Sequence, residues 1–173
     1  MKRTRIVAFI ALVVLQMLVV GSMARSREAV LDSGERVTLA TAPIDPRDLF
    51  RGDYVVLRYE ISTIDLHRTP WDTGDPYVGQ TVRVMLNTVP RIAGPVAVVE
   101  GNRDPREAAI RGTVTAVGDS VVVIEYGIEE YFVPEGTGRE VETAGTVEVV
   151  VAIHQGGDAV IDHLILDGRV WVP

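Results

Sequence analysis

The chain has 173 residues, enough for one domain but short for two, with 24 acidic residues, 17 basic residues and no cysteine. Residues 28–173 carry 12 basic and 24 acidic residues, a formal charge of −12, which argues against nucleic acid as a partner. The missing cysteine excludes disulfides and thiolate chemistry, and the only lysine, Lys2, lies at the start of the chain.

The N-terminal segment predicts a membrane-spanning helix. Residues 6–24 are apolar apart from Gln16, and a helix of that length rises roughly 28 Å, close to the thickness of a hydrocarbon core. Three basic residues precede this run and two follow it, which favours a cytoplasmic N-terminus. An uncleaved signal anchor and a signal peptide cut after Ala24 both fit, and the length favours the anchor. Residues 1–27 are thus predicted as cytoplasmic tip and signal-anchor helix.

The remainder, residues 28–173, predicts one mainly β domain on the far side of the membrane. Residues 28–35 continue the helix as a short stalk. Runs rich in Val, Ile, Tyr and Thr then alternate with gaps rich in Gly, Pro and Asp, which is typical of strands joined by tight turns. The expected fold is a sandwich or a partly open barrel. The predicted strands are 36–42, 54–62, 81–88, 95–100, 110–117, 120–126, 130–133, 146–155 and 159–167.

Residues 63–80 break the β pattern. The segment is punctuated by Pro and Gly and contains Trp71 and Tyr77. A loop of this length is either a functional surface or a surface excursion held in place by its two aromatic side chains. Both interpretations stay open on the sequence alone.

Residues 43–61 contain the most specific local pattern, PIDPRDLFRGDYVVLRYEI. Asp45 and Pro46 suit the start of one helical turn, and Gly52 suits its end. A strand follows in which alternate residues share a face. Tyr54, Val56, Arg58 and Glu60 are predicted on one face, and Asp53, Val55, Leu57 and Tyr59 on the other.

The same segment resembles a known signature. GDYVVLRY at residues 52–59 matches GDYXXLXY at every fixed position, and the chain is therefore identified as similar to the GDYXXLXY protein family. The resemblance implies a bacterial, membrane-anchored protein whose relatives are expected beside multi-span membrane proteins, and it implies no particular reaction. The residues that carry it are Gly52, Asp53, Tyr54, Leu57 and Tyr59.

Two interpretations of this motif compete. In the functional one, Asp53 and Arg51 form a polar site with the hydroxyl of Tyr54 or Tyr59 as a donor. In the structural one, Gly52 permits a turn, Asp53 bonds to local backbone, and the tyrosines pack with their hydroxyl groups satisfied. An acidic stretch near Glu129 and Glu130 is similarly either a patch or a solvated surface. The candidate binding residues are Arg47, Asp48, Arg51, Trp71 and Glu130.

The sequence predicts no catalytic residue set, no metal site and no cofactor. A Ser/Lys dyad is excluded beyond the membrane segment, because the chain's only lysine precedes it. Two histidines allow an alternative metal site. If a hairpin forms around residues 156–157, His154 and His163 lie on opposing strands and could approach each other, with Asp158 or Asp162 as neighbouring ligands.

These features favour a non-enzymatic accessory or binding subunit, anchored in the bacterial cytoplasmic membrane beside an integral membrane protein. The alternative is a periplasmic hydrolase or small-ligand-binding enzyme. A concave pocket in which Asp53, a histidine and a tyrosine converge favours the enzyme. A flat apolar patch around Trp71 favours the subunit.

Overall fold

The computed structural model describes residues 2–42, 54–89, 91–100 and 108–172. Two α-helices, a single-turn 3-10 helix at Glu60–Ser62 and twelve strands lie within these ranges. In chain order the helices and strands are α1 (Lys2–Ser33), β1 (Glu35–Ala40), β2 (Tyr54–Val56), β3 (Thr63–Asp65), β4 (Trp71–Asp72), β5 (Thr81–Asn87), β6 (Gly94–Val99), β7 (Ala109–Val117), β8 (Val121–Glu125), β9 (Glu130–Phe132), α2 (Gly138–Thr143), β10 (Val147–Ile153), β11 (Ala159–Leu166) and β12 (Arg169–Val170).

The strands form three sheets that curl around one core, a half-barrel arrangement. The largest has the order β3-β8-β7-β5-β6-β4, the second β1-β10-β11-β12, and the third pairs β2 with β9. Every pair is antiparallel except β4 with β6. The prediction of a mainly β fold preceded by an apolar helix is therefore confirmed.

The core lies between the sheets and follows the period of two along each strand. Val37 and Leu39 of β1 point inward, as do Ile110 and Val114 of β7. Strand β10 differs, because all of its residues from Val149 to Ile153 are buried. Its outer face is covered in part by the end of α1, which contacts both β10 and β11.

Helix α1 continues directly into this domain. The segment Phe9–Ser33 is long and apolar enough to cross a membrane, and its described side chains up to Val20 are mostly exposed. Near its end Val30 is buried against the sheet. The Gly34 amide donates to the Val30 carbonyl at 2.8 Å. The predicted helical stalk is thus the last turns of α1.

One side of the half-barrel is closed by the hairpin between β10 and β11. The Arg111 amide donates to the Gly157 carbonyl at 2.8 Å, and the Arg83 guanidinium donates to the Gly156 carbonyl at 2.5 Å. Arg111 also forms an ion pair with Asp158. These contacts fasten the four-stranded sheet to the six-stranded one.

Three segments differ from the predictions. The predicted strand 54–62 ends at Val56, and residues 60–62 form a 3-10 turn instead. This turn lets the chain pass from a bridge with Thr41 to pairing with β8. Residues 63–80 contain two short strands, β3 and β4, and helix α2 was not predicted. Its Val141 is buried in the core and its Glu140 accepts a hydrogen bond from Trp171, so tertiary contacts stabilise it.

Candidate functional site

The described part of the motif is the segment from Tyr54 to Tyr59. Tyr54 begins β2 and pairs with Phe132 of β9. Val55, Leu57 and Tyr59 are buried, whereas Val56 is exposed, so the predicted alternation of faces is confirmed for these residues. The remaining candidates in this region, namely Arg47, Asp48, Arg51, Gly52 and Asp53, lie outside the described residues, and their binding roles stay predictions.

Tyr59 is held by a reciprocal pair of hydrogen bonds. Its hydroxyl donates to the Ile128 carbonyl at 2.6 Å, and the Tyr126 hydroxyl donates to the Ile61 carbonyl at 2.6 Å. Each tyrosine therefore reaches across to the backbone of the segment that contains the other. We call this arrangement the tyrosine lock. It joins the 3-10 turn after β2 to the connection between β8 and β9.

Burial, and after it the carboxylate of Glu129, raises the pKa of both hydroxyl groups of the tyrosine lock. This carboxylate accepts a hydrogen bond from the Tyr126 amide at 2.5 Å. Burial raises the pKa of the Tyr59 hydroxyl, and the negative charge of Glu129 raises that pKa further. The same two causes, in the same order, raise the pKa of Tyr126. Both phenols are thus neutral hydrogen-bond donors at ordinary pH, which supports the structural interpretation of Tyr59.

Trp71 and Glu130 lie in different sheets. Trp71 belongs to β4, pairs with Val98 and packs partly buried against the core. Its indole nitrogen is buried and has no hydrogen-bond partner within the described part of the chain. Glu130 is exposed in β9, opposite Val56. The structure does not bring these two candidates together, and their roles in binding stay predictions.

The two histidines do not meet, which corrects the expectation that they approach each other. They flank the predicted hairpin, but His163 lies opposite Val150 and His154 follows Ile153. They are separated along the sheet by four residues, about 13 Å. His154 Nδ1 accepts from the Gly156 amide, and His163 Nδ1 lies 3.4 Å from Asp162. Among the described residues, no group of three or more His, Asp or Glu side chains is placed to hold a metal ion.

A cleft lies beside the motif strand, where sequence reasoning did not place a site. Its volume is about 450 Å³, within the range of ligand-binding pockets. It is formed by the end of β1, the start of β10, the segment after β2 and the end of α2. Its apolar wall consists of Ala40, Val55, Leu57, Ile92, Val141 and Val147.

Backbone contacts at the cleft hold its two sides together. The Thr41 hydroxyl donates to the Val147 carbonyl at 2.7 Å, and the Ala42 amide donates to the Arg58 carbonyl at 2.7 Å. The end of β1 is thereby joined to β10 on one side and to the motif segment on the other. Hydrogen bonds to main-chain carbonyl groups therefore join the elements that form the cleft.

Three carboxylates also line the cleft: Glu60, Glu142 and Glu148. The side chain of Glu148 is only 13% exposed, and one of its oxygens forms an ion pair with Arg91. Its second oxygen, Oε2, is buried and has no hydrogen-bond partner among the residues that the structure describes. The cleft thus combines apolar walls with an incompletely compensated negative charge.

The sequence does carry one signal for this cleft. Glu148 is the single charged residue of β10, whose other residues are Val, Ala and Ile. A carboxylate in so apolar a strand requires a cation or a donor nearby. Its position beside Ala40 and Ile92, however, depends on long-range pairing that the sequence alone does not reveal.

Comparison with known proteins places the chain in one family. A family model described as GDYXXLXY protein matches residues 16–164, nearly the whole chain. Comparisons with curated proteins and with solved structures find no significant match. The match covers both the motif strand and the strands that form the cleft. This protein belongs to the GDYXXLXY protein family.

Proposed function

We propose that this protein is a non-enzymatic accessory or binding subunit of an integral membrane protein. In this proposal α1 is an uncleaved signal anchor in the bacterial cytoplasmic membrane, and the N-terminus lies in the cytoplasm. Residues 28–173 form the β domain on the periplasmic or extracytoplasmic side. The observation that carries the proposal is the direct junction between the apolar helix and the β sheet.

Close packing at Gly34 and the contacts of Arg36 hold this junction in place. A Cβ atom at Gly34 would lie 3.0 Å from the Ile153 amide nitrogen and 3.1 Å from the Ala152 Cβ, so the chain passes very close to β10. The Arg36 guanidinium donates to the Leu31 carbonyl and pairs with Asp162, each at 3.1 Å. Within residues 2–42, only Gly34 separates the helix from the first strand.

A fixed junction has a functional consequence for a membrane-anchored domain. It holds the cleft at a constant distance and orientation relative to the bilayer. Glu148 lies five residues along β10 from Ile153, about 17 Å from the end of α1. A binding surface presented at fixed height meets partners of the same membrane at high effective concentration, which favours a subunit role.

The charge pattern supports the proposed orientation. Lys2, Arg3 and Arg5 precede the apolar run, and the positive-inside bias favours their retention in the cytoplasm. The acidic β domain follows the run, and acidic residues contribute little to the orientation of a span.

The test is purification of the full-length protein from its native membrane in mild detergent, with mass spectrometry of its partners and of its own N-terminus. Stoichiometric recovery of one integral membrane protein, with residues 1–24 intact, is the expected result. Recovery of the protein alone, starting at Arg25, would contradict the proposal and favour the soluble periplasmic enzyme.

A second variant tests the junction itself. Insertion of a short Gly-Ser linker between Ser33 and Gly34 is expected to reduce recovery of the partner while the β domain stays folded. The same insertion after Gly118, in the exposed turn between β7 and β8, is the matched control and is expected to leave recovery unchanged. Equal recovery with both insertions would show that a fixed junction is not needed.

A further inference from the structure

We infer that the cleft binds a cationic, apolar polypeptide segment: an arginine or lysine side chain flanked by aliphatic residues. The inference rests on the proposed function, because it assigns this segment to the extracytoplasmic part of the membrane partner. It adds a binding site and the chemistry of its ligand.

Glu148 has an incompletely satisfied carboxylate. Its side chain is only 13% exposed, and Oε2 lacks any donor among the described residues. A buried carboxylate oxygen without a donor is unfavourable, and a donor supplied by a ligand removes that cost. The ligand group that best satisfies a carboxylate is a guanidinium or an ammonium.

Negative charge predominates in the cleft. Glu60, Glu142 and Glu148 line it, and among the described residues Arg91 pairs with the other oxygen of Glu148. The Arg91 side chain is 61% exposed, so it lies at the rim. One further positive charge would therefore be attracted to this cleft, and a negative one repelled.

The cleft also presents apolar surface. Val147 and Ile92 line it, and Ile92 is 38% exposed, which suits contact with aliphatic side chains. A purely hydrophilic cation would leave this surface in contact with water, so flanking aliphatic residues favour binding.

A polypeptide segment fits the location better than a lipid does. The cleft lies at the end of β1 that is remote from Gly34, where α1 enters the sheet. The strand between these points is six residues long, about 20 Å. The extracytoplasmic loops of a neighbouring membrane protein extend to such a height, whereas lipid headgroups remain near the end of the span.

The test uses defined peptides and the full-length protein in nanodiscs of zwitterionic lipid. The probe is a blocked peptide of about seven residues, with one central arginine flanked by leucine and valine. The matched probe has glutamine in place of arginine. Fluorescence anisotropy is measured against empty nanodiscs, and the arginine peptide is expected to bind at least about tenfold more tightly than the glutamine peptide.

Two variants link this binding to the cleft. Glu148→Gln removes the carboxylate charge from the cleft, and Ala144→Phe fills the cleft without a change of charge. Each is expected to weaken binding of the arginine peptide at least about tenfold. Asp119→Asn, which removes a charge from the exposed β7–β8 turn, is the control and is expected to have no effect. Folding of every variant is checked by urea unfolding.

The outcomes separate this inference from the proposed function. Absence of peptide binding, equal binding of the two peptides, or unchanged binding to the folded Ala144→Phe variant would overturn the cleft assignment. Co-purification of a membrane partner would still stand in that case. Conversely, specific peptide binding without any co-purifying membrane protein would support the cleft and contradict the subunit proposal.

Discussion

The tyrosine lock makes a quantitative prediction for Tyr59→Phe. The substitution keeps the buried ring and removes only the hydroxyl that donates to the Ile128 carbonyl at 2.6 Å. Since the ring remains, no cavity forms, and the loss is confined to one hydrogen bond and one buried carbonyl without its donor. Such a loss costs about 1–3 kcal/mol of the free energy of unfolding.

The assay is urea unfolding of the full-length protein, followed by tryptophan fluorescence. The chain's two tryptophans, Trp71 and Trp171, both lie in the β domain and therefore report on its unfolding. For a chain of this size the expected loss corresponds to a melting temperature lower by about 2–10 °C. Tyr77→Phe, at a side chain that is 62% exposed, is the control and is expected to change stability by less than about 0.5 kcal/mol.

The same variant is expected to alter the response to alkaline pH. The folded-state pKa values of Tyr59 and Tyr126 are raised above the unfolded value of about 10. Their contribution to stability is therefore fully present below pH 10 and is lost as the pH rises toward the folded-state values. Above pH 10 the two groups together lower the free energy of unfolding by about 2.7 kcal/mol per pH unit, and Tyr59→Phe is expected to halve that slope. Lysine does not interfere, because Lys2 precedes the β domain.

Two results would refute this reasoning. If Tyr59→Phe unfolds at the wild-type urea midpoint, the hydroxyl does not stabilise the fold. If its alkaline slope equals that of the wild type, Tyr59 ionises as readily in the folded protein as in the unfolded one. A Tyr59→Phe/Tyr126→Phe double variant adds a further check. Its cost is expected to differ from the sum of the single costs, since both hydroxyls join the same two segments.

The remaining predictions concern glycines and the helix junction. Gly157 has φ +86°, and an added Cβ would lie 3.0 Å from the Arg111 Cβ. Gly157→Ala is therefore expected to lower the free energy of unfolding, measured in urea, by more than about 1 kcal/mol. Gly156→Ala, at the neighbouring residue, is the control and is expected to change it little. At Gly112 an added Cβ would contact the Ile124 side chain and lie 2.9 Å from the Glu125 carbonyl oxygen. Gly112→Ala is therefore expected to lower the free energy of unfolding by about 1–3 kcal/mol. Gly94→Ala, at a strand position with open space around it, is its control. Val30→Ala removes the buried contact between α1 and the sheet, and faster protease cleavage near residue 33 is expected while the urea midpoint of the β domain is maintained.

The strands were predictable because their signals are local. The hairpin around residues 156–157 joins β10 to β11 as predicted, and the turn at residues 117–120 separates two predicted strands that pair as β7 and β8. The turn at residues 167–168 leads into β12, a strand that was not predicted. At the last of these, Asp167 has φ 49° and Gly168 φ 78°, a tight turn that Asp-Gly favours. The buried face of the motif strand followed from the same period of two.

The features that escaped prediction all depend on distant contacts. The 3-10 turn at residues 60–62 is fixed by the Tyr126 hydroxyl, which lies far along the chain and bonds to the Ile61 carbonyl. Strand β4 exists because it pairs in parallel with β6, and α2 because Val141 enters the core. The separation of the two histidines follows from the register of β10 and β11. Local composition contains none of this information.

The described residues of the motif serve two separable purposes. Tyr59 fastens the end of the motif segment to the β8–β9 connection, while Val55 and Leu57 of the same segment form part of the cleft wall. Tyr59 is absent from the described lining, so Tyr59→Phe is expected to leave peptide affinity unchanged at urea concentrations well below its unfolding midpoint. Glu148→Gln is expected to have the opposite effects: it weakens peptide binding, and it leaves unchanged the loss of stability per pH unit above pH 10. A shared response of both variants in both assays would mean that the motif acts on the cleft only by keeping the domain folded.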